Sequence, residues 1–153
     1  MKKILAISLI IIIGIFSTSC SNGDINETTT YNYIFKGEND LWEAEYKVTG
    51  ESTYKQNDNE VKNDGQFEFI LTVAYKGDIS ELSSVKNLSI SYKSNLKGGS
   101  YNLSFPEDGT IKKAYTIKFE SDMLNVSKDE IIKVTIKIDN EIQELELKTR
   151  IGN

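Results

Sequence analysis

Ile132-Lys133-Val134-Thr135-Ile136-Lys137-Ile138-Asp139-Asn140-Glu141-Ile142-Gln143-Glu144-Leu145-Glu146-Leu147 alternates apolar and polar side chains through two arms that flank a polar centre. Successive side chains of a strand point to opposite faces, so Ile132, Val134, Ile136 and Ile138 share one face. Leu145 and Leu147 continue it after the centre. The spacing predicts a hairpin with Asn140-Glu141 at the turn. That register sets Ile136 opposite Leu145, Val134 opposite Leu147, and Lys137 opposite Glu144 as an attractive outer pair. A slip by one residue would face the isoleucines with Gln143 and glutamates, and burial rejects it. Asn140 tolerates the left-handed backbone of a tight turn, whereas Glu141 is poorer than glycine, so a looser turn stays open.

Outward from this hairpin the same period recurs. Trp42, Ala44, Tyr46 and Val48 fall on one face, with Glu43, Glu45, Lys47 and Thr49 on the other. Phe67, Phe69, Leu71, Val73 and Tyr75 form a longer strand. Its second face adds Ile70 and Ala74, as expected of a central strand covered on both sides. Leu88, Ile90 and Tyr92 mark another strand, as do Tyr101, Leu103 and Phe105, and then Tyr115, Ile117 and Phe119. Tyr31 to Phe35 reads as the first strand, Glu51 to Gln56 as a weak one, and Ile79 to Val85 as a short helical turn. Eight or nine short strands at such spacing indicate an all-β fold, an antiparallel β-sandwich or small barrel.

The N-terminus carries an address. Met1-Lys2-Lys3 is positive, Ile4 to Phe16 is apolar except at Ser8 and the small Ala6 and Gly14, and Ser17-Thr18-Ser19-Cys20 is small. This is the layout of a secretory signal peptide over residues 1–19. The apolar run of about 13 residues is short of the roughly 20 that a membrane-spanning helix needs. Cys20 is the only cysteine, which excludes an intramolecular disulfide, and it stands where cleavage is expected. The run resembles the lipobox of bacterial lipoproteins, although Ser17 occupies a position where an aliphatic residue is commoner. The resemblance implies a diacylglycerol on Cys20, and acyl chains bury methylenes at about 0.8 kcal/mol each, enough for anchoring. Polar residues from Ser21 to Thr30 then read as a flexible tether, so that 20–30 holds the anchor and tether and 31–153 a single β-domain.

Composition removes several function classes. The full chain has 153 residues and a formal charge of −5. Without residues 1–19 the balance is about −7, which argues against binding nucleic acid through bulk charge. Lysine far outnumbers arginine, present only as Arg150, and isoleucine and asparagine are frequent, which points to an AT-rich genome. Some 130 mature residues are enough to bury a core without disulfides.

Catalysis has few handles. The chain contains no histidine, which excludes the serine-protease triad and histidine-bound metals. Gly98-Gly99 reads as a turn or bulge rather than a phosphate loop. Glu43 and Glu45 share a strand face and are the pair that glycoside hydrolysis would need, but a solvated outer face is the stronger reading. Asp58, Glu60 and Asp64 lie in a polar stretch that lacks the EF-hand spacing and has Lys62 in its middle. Trp42 is a candidate sugar platform, yet its phase with Ala44, Tyr46 and Val48 places it in the core. The eight tyrosines suit recognition surfaces and strand faces alike. No catalytic, metal or cofactor site is expected.

Tyr33-Ile34-Phe35-Lys36-Gly37-Glu38, followed by Trp42 and Tyr46, resembles the opening of a family of small uncharacterised lipoproteins of Bacillus and relatives. Lys128-Asp129-Glu130-Ile131-Ile132-Lys133-Val134-Thr135-Ile136 and its hairpin are similar to the same family, whose turn often carries glycine where this chain has Glu141. The resemblance implies a β-sandwich tethered at the cell surface, with an immunoglobulin-like arrangement among the forms it allows. It brings no functional residues. The function expected is a non-enzymatic binding module held at the extracytoplasmic face of the cell membrane through Cys20, with an envelope protein or glycan as partner. The alternative is a structural or inhibitory accessory lipoprotein that docks on a membrane or secreted protein, and a carboxylate hydrolase comes last.

Overall fold

The computed structural model describes residues 25–57, 60–95, 97–104 and 111–149. Residues 1–24, with Cys20 and the stretch 1–19 expected to be a signal peptide, lie outside them. Eight strands follow in chain order: β1 Ile25–Glu38, β2 Trp42–Gln56, β3 Val61–Tyr75, β4 Asn87–Lys93, β5 Gly98–Ser104, β6 Ala114–Ser121, β7 Ile132–Ile138 and β8 Glu141–Thr149. A single 3-10 turn, Ile79–Leu82, is capped by the Asp78 carboxylate, which accepts from the Ser80 amide. All pairings are antiparallel, and the order across the sheet is β5-β4-β7-β8-β1-β2-β3-β6.

The sheet folds over on itself at the β8–β1 junction, where among the described residues only Phe35↔Thr149 and Lys36↔Lys148 pair. Rings of the two halves then meet in the interior. Tyr92 of β4 stacks on Phe119 of β6 with centroids 5.5 Å apart, and lies 5.5 Å from Tyr46 of β2. Phe119 also stacks on Phe69 of β3 at 4.8 Å. Alternating residues fill the space between the halves: Phe35, Trp42, Val48, Phe69, Leu71, Val73, Ile132, Val134, Ile136 and Leu147 are all fully buried. Each large apolar side chain so placed contributes about 1.5–3 kcal/mol relative to exposure. The all-β sandwich expected from alternation is the fold observed.

Several local expectations change. Glu51–Gln56 is the second half of β2, paired residue for residue with β3, so eight strands form rather than nine. Ile25–Thr30, assigned to the tether on composition, is the first half of β1, pairing from Ile25↔Gln56 to Thr30↔Glu51. Both its faces are exposed, so no apolar alternation marks it; β2 holds it by backbone bonds and by side-chain contacts such as Thr28 Oγ1 to Thr53 Oγ1 at 3.2 Å. Gly98-Gly99 is the start of β5 instead of a turn. A Cβ on Gly99 would lie 2.8 Å from the Tyr92 ring, so the glycine lets that ring lie across the edge strand.

The last hairpin is offset by two residues from its expected register. Its turn is Asp139-Asn140, with Val134↔Leu145, Ile132↔Leu147 and Thr135↔Glu144. Asp139 takes the positive φ of 49°, tolerated by Asp because its short polar side chain bonds locally. Its Oδ1 accepts from the Asn87 amide at 2.9 Å, tying the turn to the start of β4. The strand order also departs from the immunoglobulin one, in which the second and third strands lie in different sheets. Here β1, β2 and β3 form a meander.

Burial pushes the phenols of Tyr46, Tyr92 and Tyr115 above the ordinary value of 10.0, and for Tyr46 the neighbouring Tyr92 and Glu130 add to the effect. A raised folded-state value means that the unfolded chain releases these protons first. The corresponding stability is intact below about pH 10 and is lost as pH rises above it. Alkaline titration should therefore unfold the domain above pH 10, with tyrosinate absorbance and loss of the strand circular dichroism appearing together. Tyr46→Phe is expected to move that transition to higher pH; an unmoved midpoint would show that Tyr46 ionises without opening the core.

Candidate docking edge

The residues that chemistry would have used are separated or occupied. Trp42 is fully buried with its ring 5.1 Å from Tyr75, and its Nε1 has no hydrogen-bond partner among the described residues. Glu43 and Glu45 project from the outer face of β2, beside Lys36, Glu38 and Thr72, in a shallow concavity of about 490 Å³. Glu38 faces Glu43 in register, but Glu45 is paired with Lys36 at 2.7 Å and Glu38 with Lys76 at 3.0 Å. Asp58 lies outside the described residues. The Glu60 amide donates to Asn57 Oδ1 at 2.7 Å, closing the β2–β3 hairpin, and Asp64 pairs with Lys62 at 3.3 Å. Of the tyrosines, Tyr46, Tyr75, Tyr92 and Tyr115 are buried, Tyr31 and Tyr33 are half-buried, and only Tyr54 and Tyr101 are exposed.

What the molecule presents instead is an edge. β5 and β6 end the strand order, and among the described residues no strand pairs with the far side of β5. Register places Gly99, Tyr101 and Leu103 on the same inner face as Tyr92, Ile90 and Leu88 of β4. Leu88 and Ile90 are each 1% exposed, whereas Tyr101 is 42% exposed and Leu103 is half-buried. β6 repeats the pattern, with Ile117 and Phe119 half-buried opposite fully buried Leu71 and Phe69. Inner residues of interior strands are covered from both sides; those of edge strands are covered from one.

Edges are ordinarily blunted by charge, proline or a bulge. β6 follows this rule with Lys118, 3.8 Å from Glu68, and Glu120. β5, Gly98-Gly99-Ser100-Tyr101-Asn102-Leu103-Ser104, carries no charge at all. The electrostatics come from its neighbours. Lys93 sits directly opposite Gly98 on one side and Lys133 on the other, a like-charge facing that costs stability. Neither lysine is ion-paired among the described residues. Glu146, across from Lys133, pairs with Lys148 at 3.4 Å instead. Lys93, Lys97 and Lys133, with Ser91, Thr135 and Gly98, line an outer concavity of about 520 Å³ that has no acidic lining residue. Lys97 also places its Nζ 5.1 Å from the centroid of the Phe119 ring.

The loops beside this edge are fixed by Glu130, which sequence reading passed over. Its carboxylate, 8% exposed, accepts from the Asn95 and Ser127 amides and so clamps the β4–β5 connection to the segment before β7. Ser94 Oγ adds a bond to the Asn125 carbonyl at 3.3 Å. A carboxylate among Lys, Asp and Ile gives no periodic signal. The free edge was equally hidden, because alternation shows that a segment is a strand but not which strands end the sheet. No protein-family model, no curated protein and no solved structure matches this chain.

Proposed function

We propose that this chain is a lipid-anchored, extracytoplasmic docking module: Cys20 holds it to the membrane, and its β-sandwich binds a protein of the cell envelope without catalysis. The observation that carries the docking part is the uncharged, unpaired β5 edge with Tyr101 and Leu103 part-exposed. Sheet edges of this kind recruit extended segments through backbone hydrogen bonds. A glycan or small-ligand site would call for rings grouped in an open concavity, and the large rings here are spent on the core. The pairing of Glu45 with Lys36 and of Glu38 with Lys76 weighs against hydrolysis at this face. The anchor rests on the signal-like residues 1–19, the lipobox resemblance at Cys20 and the likeness to small Bacillus lipoproteins.

Both halves of the reading can be tested in cells. The full chain should fractionate with membranes, and Cys20→Ala should release it to the soluble extracytoplasmic fraction. A Cys20→Ala chain that stays wholly with the membrane removes the anchor. Amine-reactive crosslinking of intact cells should carry the full chain into one discrete heteromeric species. If the chain stays monomeric at every crosslinker concentration, the docking role falls.

A further inference from the structure

We infer that β5 accepts, as a ninth strand, an extended segment of a partner protein whose residues alternate apolar and acidic. This deepens the docking reading above and rests on it. The backbone of β5 offers such a segment the side that no described strand pairs with. A strand added there continues the sheet at a spacing of about 4.8 Å, so its inward residues come beside Tyr101 and Leu103. Those two side chains are the inner-face positions that the existing strands leave part-exposed on β5. Apolar residues at alternate positions of the partner cover them as β4 covers the rest.

The other residues of the partner face outward, where the surroundings are basic. Neither β4 nor β5 contains an acidic residue. Lys93 and Lys133 face each other without an ion-pair partner among the described residues, and Gly98 has no side chain to stand between Lys93 and the edge. Lys97 precedes the strand but sets its Nζ over the Phe119 ring, so the outward charge is that of Lys93 and Lys133. An added strand runs within about a Debye length of these ammonium groups, so carboxylates at its outward positions relieve the like-charge facing. The same charges count against a second copy of this chain, since pairing β5 with β5 brings two basic faces together.

The test uses the full chain expressed in cells, with p-benzoylphenylalanine in place of Asn102 on the outer side of β5 and, separately, in place of Glu144 on interior strand β8. Crosslinking is expected at position 102 and not at 144, and the partner peptide recovered by mass spectrometry should alternate apolar and acidic residues. Ser100→Glu with Lys93→Glu should lower the crosslink yield about tenfold through like-charge repulsion, and Ser100→Lys should retain it. Retention in the Ser100→Lys chain shows that the strand tolerates substitution there, so a loss in the glutamate chain is electrostatic. Crosslinks to the chain itself, to wall glycan, or to a segment without alternation overturn the inference. Amine-reactive crosslinks to a protein without any at position 102 overturn it while leaving the docking role standing. Absence of both kinds removes the docking role as well.

Discussion

Trp42→Ala should lower the unfolding free energy by about 3–5 kcal/mol, the range for removing a large buried ring, while Trp42→Phe should cost about 1 kcal/mol or less. Trp42 is 0% exposed and packs on Tyr75 at 5.1 Å, where β2 and β3 meet in register. Alanine there leaves a hole that β strands pinned on both sides cannot collapse around. Phenylalanine loses less volume, and it also removes an N–H that has no partner among the described residues. A buried donor left unmet costs about 1–3 kcal/mol, so losing it offsets part of the lost packing. Urea unfolding followed by circular dichroism gives both numbers, since Trp42 is the only tryptophan and its fluorescence disappears with it. Equal losses in the two variants would mean that the indole nitrogen is solvated or bonded after all.

The same comparison shows what alternation encodes. Trp42, Ala44, Tyr46 and Val48 were placed in the core by period alone, and all four are buried. Period two fixes which face a residue takes but leaves register undetermined by steps of two. The β7–β8 hairpin used that freedom. Moving the turn from Asn140-Glu141 to Asp139-Asn140 keeps Ile132, Val134 and Ile136 inside, and the choice is made by the Asp139 carboxylate binding the Asn87 amide, a contact 52 positions away in the chain. Ile25–Thr30 failed for the opposite reason, since a strand exposed on both faces has no pattern to read. The docking edge is a property of strand order, so its residues Tyr101 and Leu103 looked like ordinary core positions until β5 was found at the end of the sheet.

Strand order also makes one glycine decisive. Gly37→Ala is expected to destabilise the domain by about 3 kcal/mol or more, at the upper end for forced overpacking, and Gly37→Val by little beyond that. Gly37 follows the two pairs that join β1 to β8 among the described residues. A Cβ there would run into the Glu146 carbonyl oxygen and sit 2.8 Å from Leu147 Cδ2. The obstacle is backbone, so a side-chain rotation cannot clear it, and the first carbon already meets it. Strand propensity alone argues for the reverse order, with valine favoured over alanine and glycine. Among the described residues the two halves of the sandwich are joined by strand pairing at this junction alone, with one side-chain bond beside it from Asn39 Nδ2 to Gln143 Oε1 at 3.1 Å, and displacing β8 from β1 should loosen it ahead of the rest. Hydrogen exchange should therefore show early loss of protection at Phe35, Lys36 and Thr149 in the Gly37→Ala chain, with Val134 and Ile136 of β7 still protected. An alanine variant as stable as the parent would show that β8 can retreat by several tenths of an ångström at no cost, and that the fold at this corner is held by the ring contacts between the halves rather than by the strand pairing.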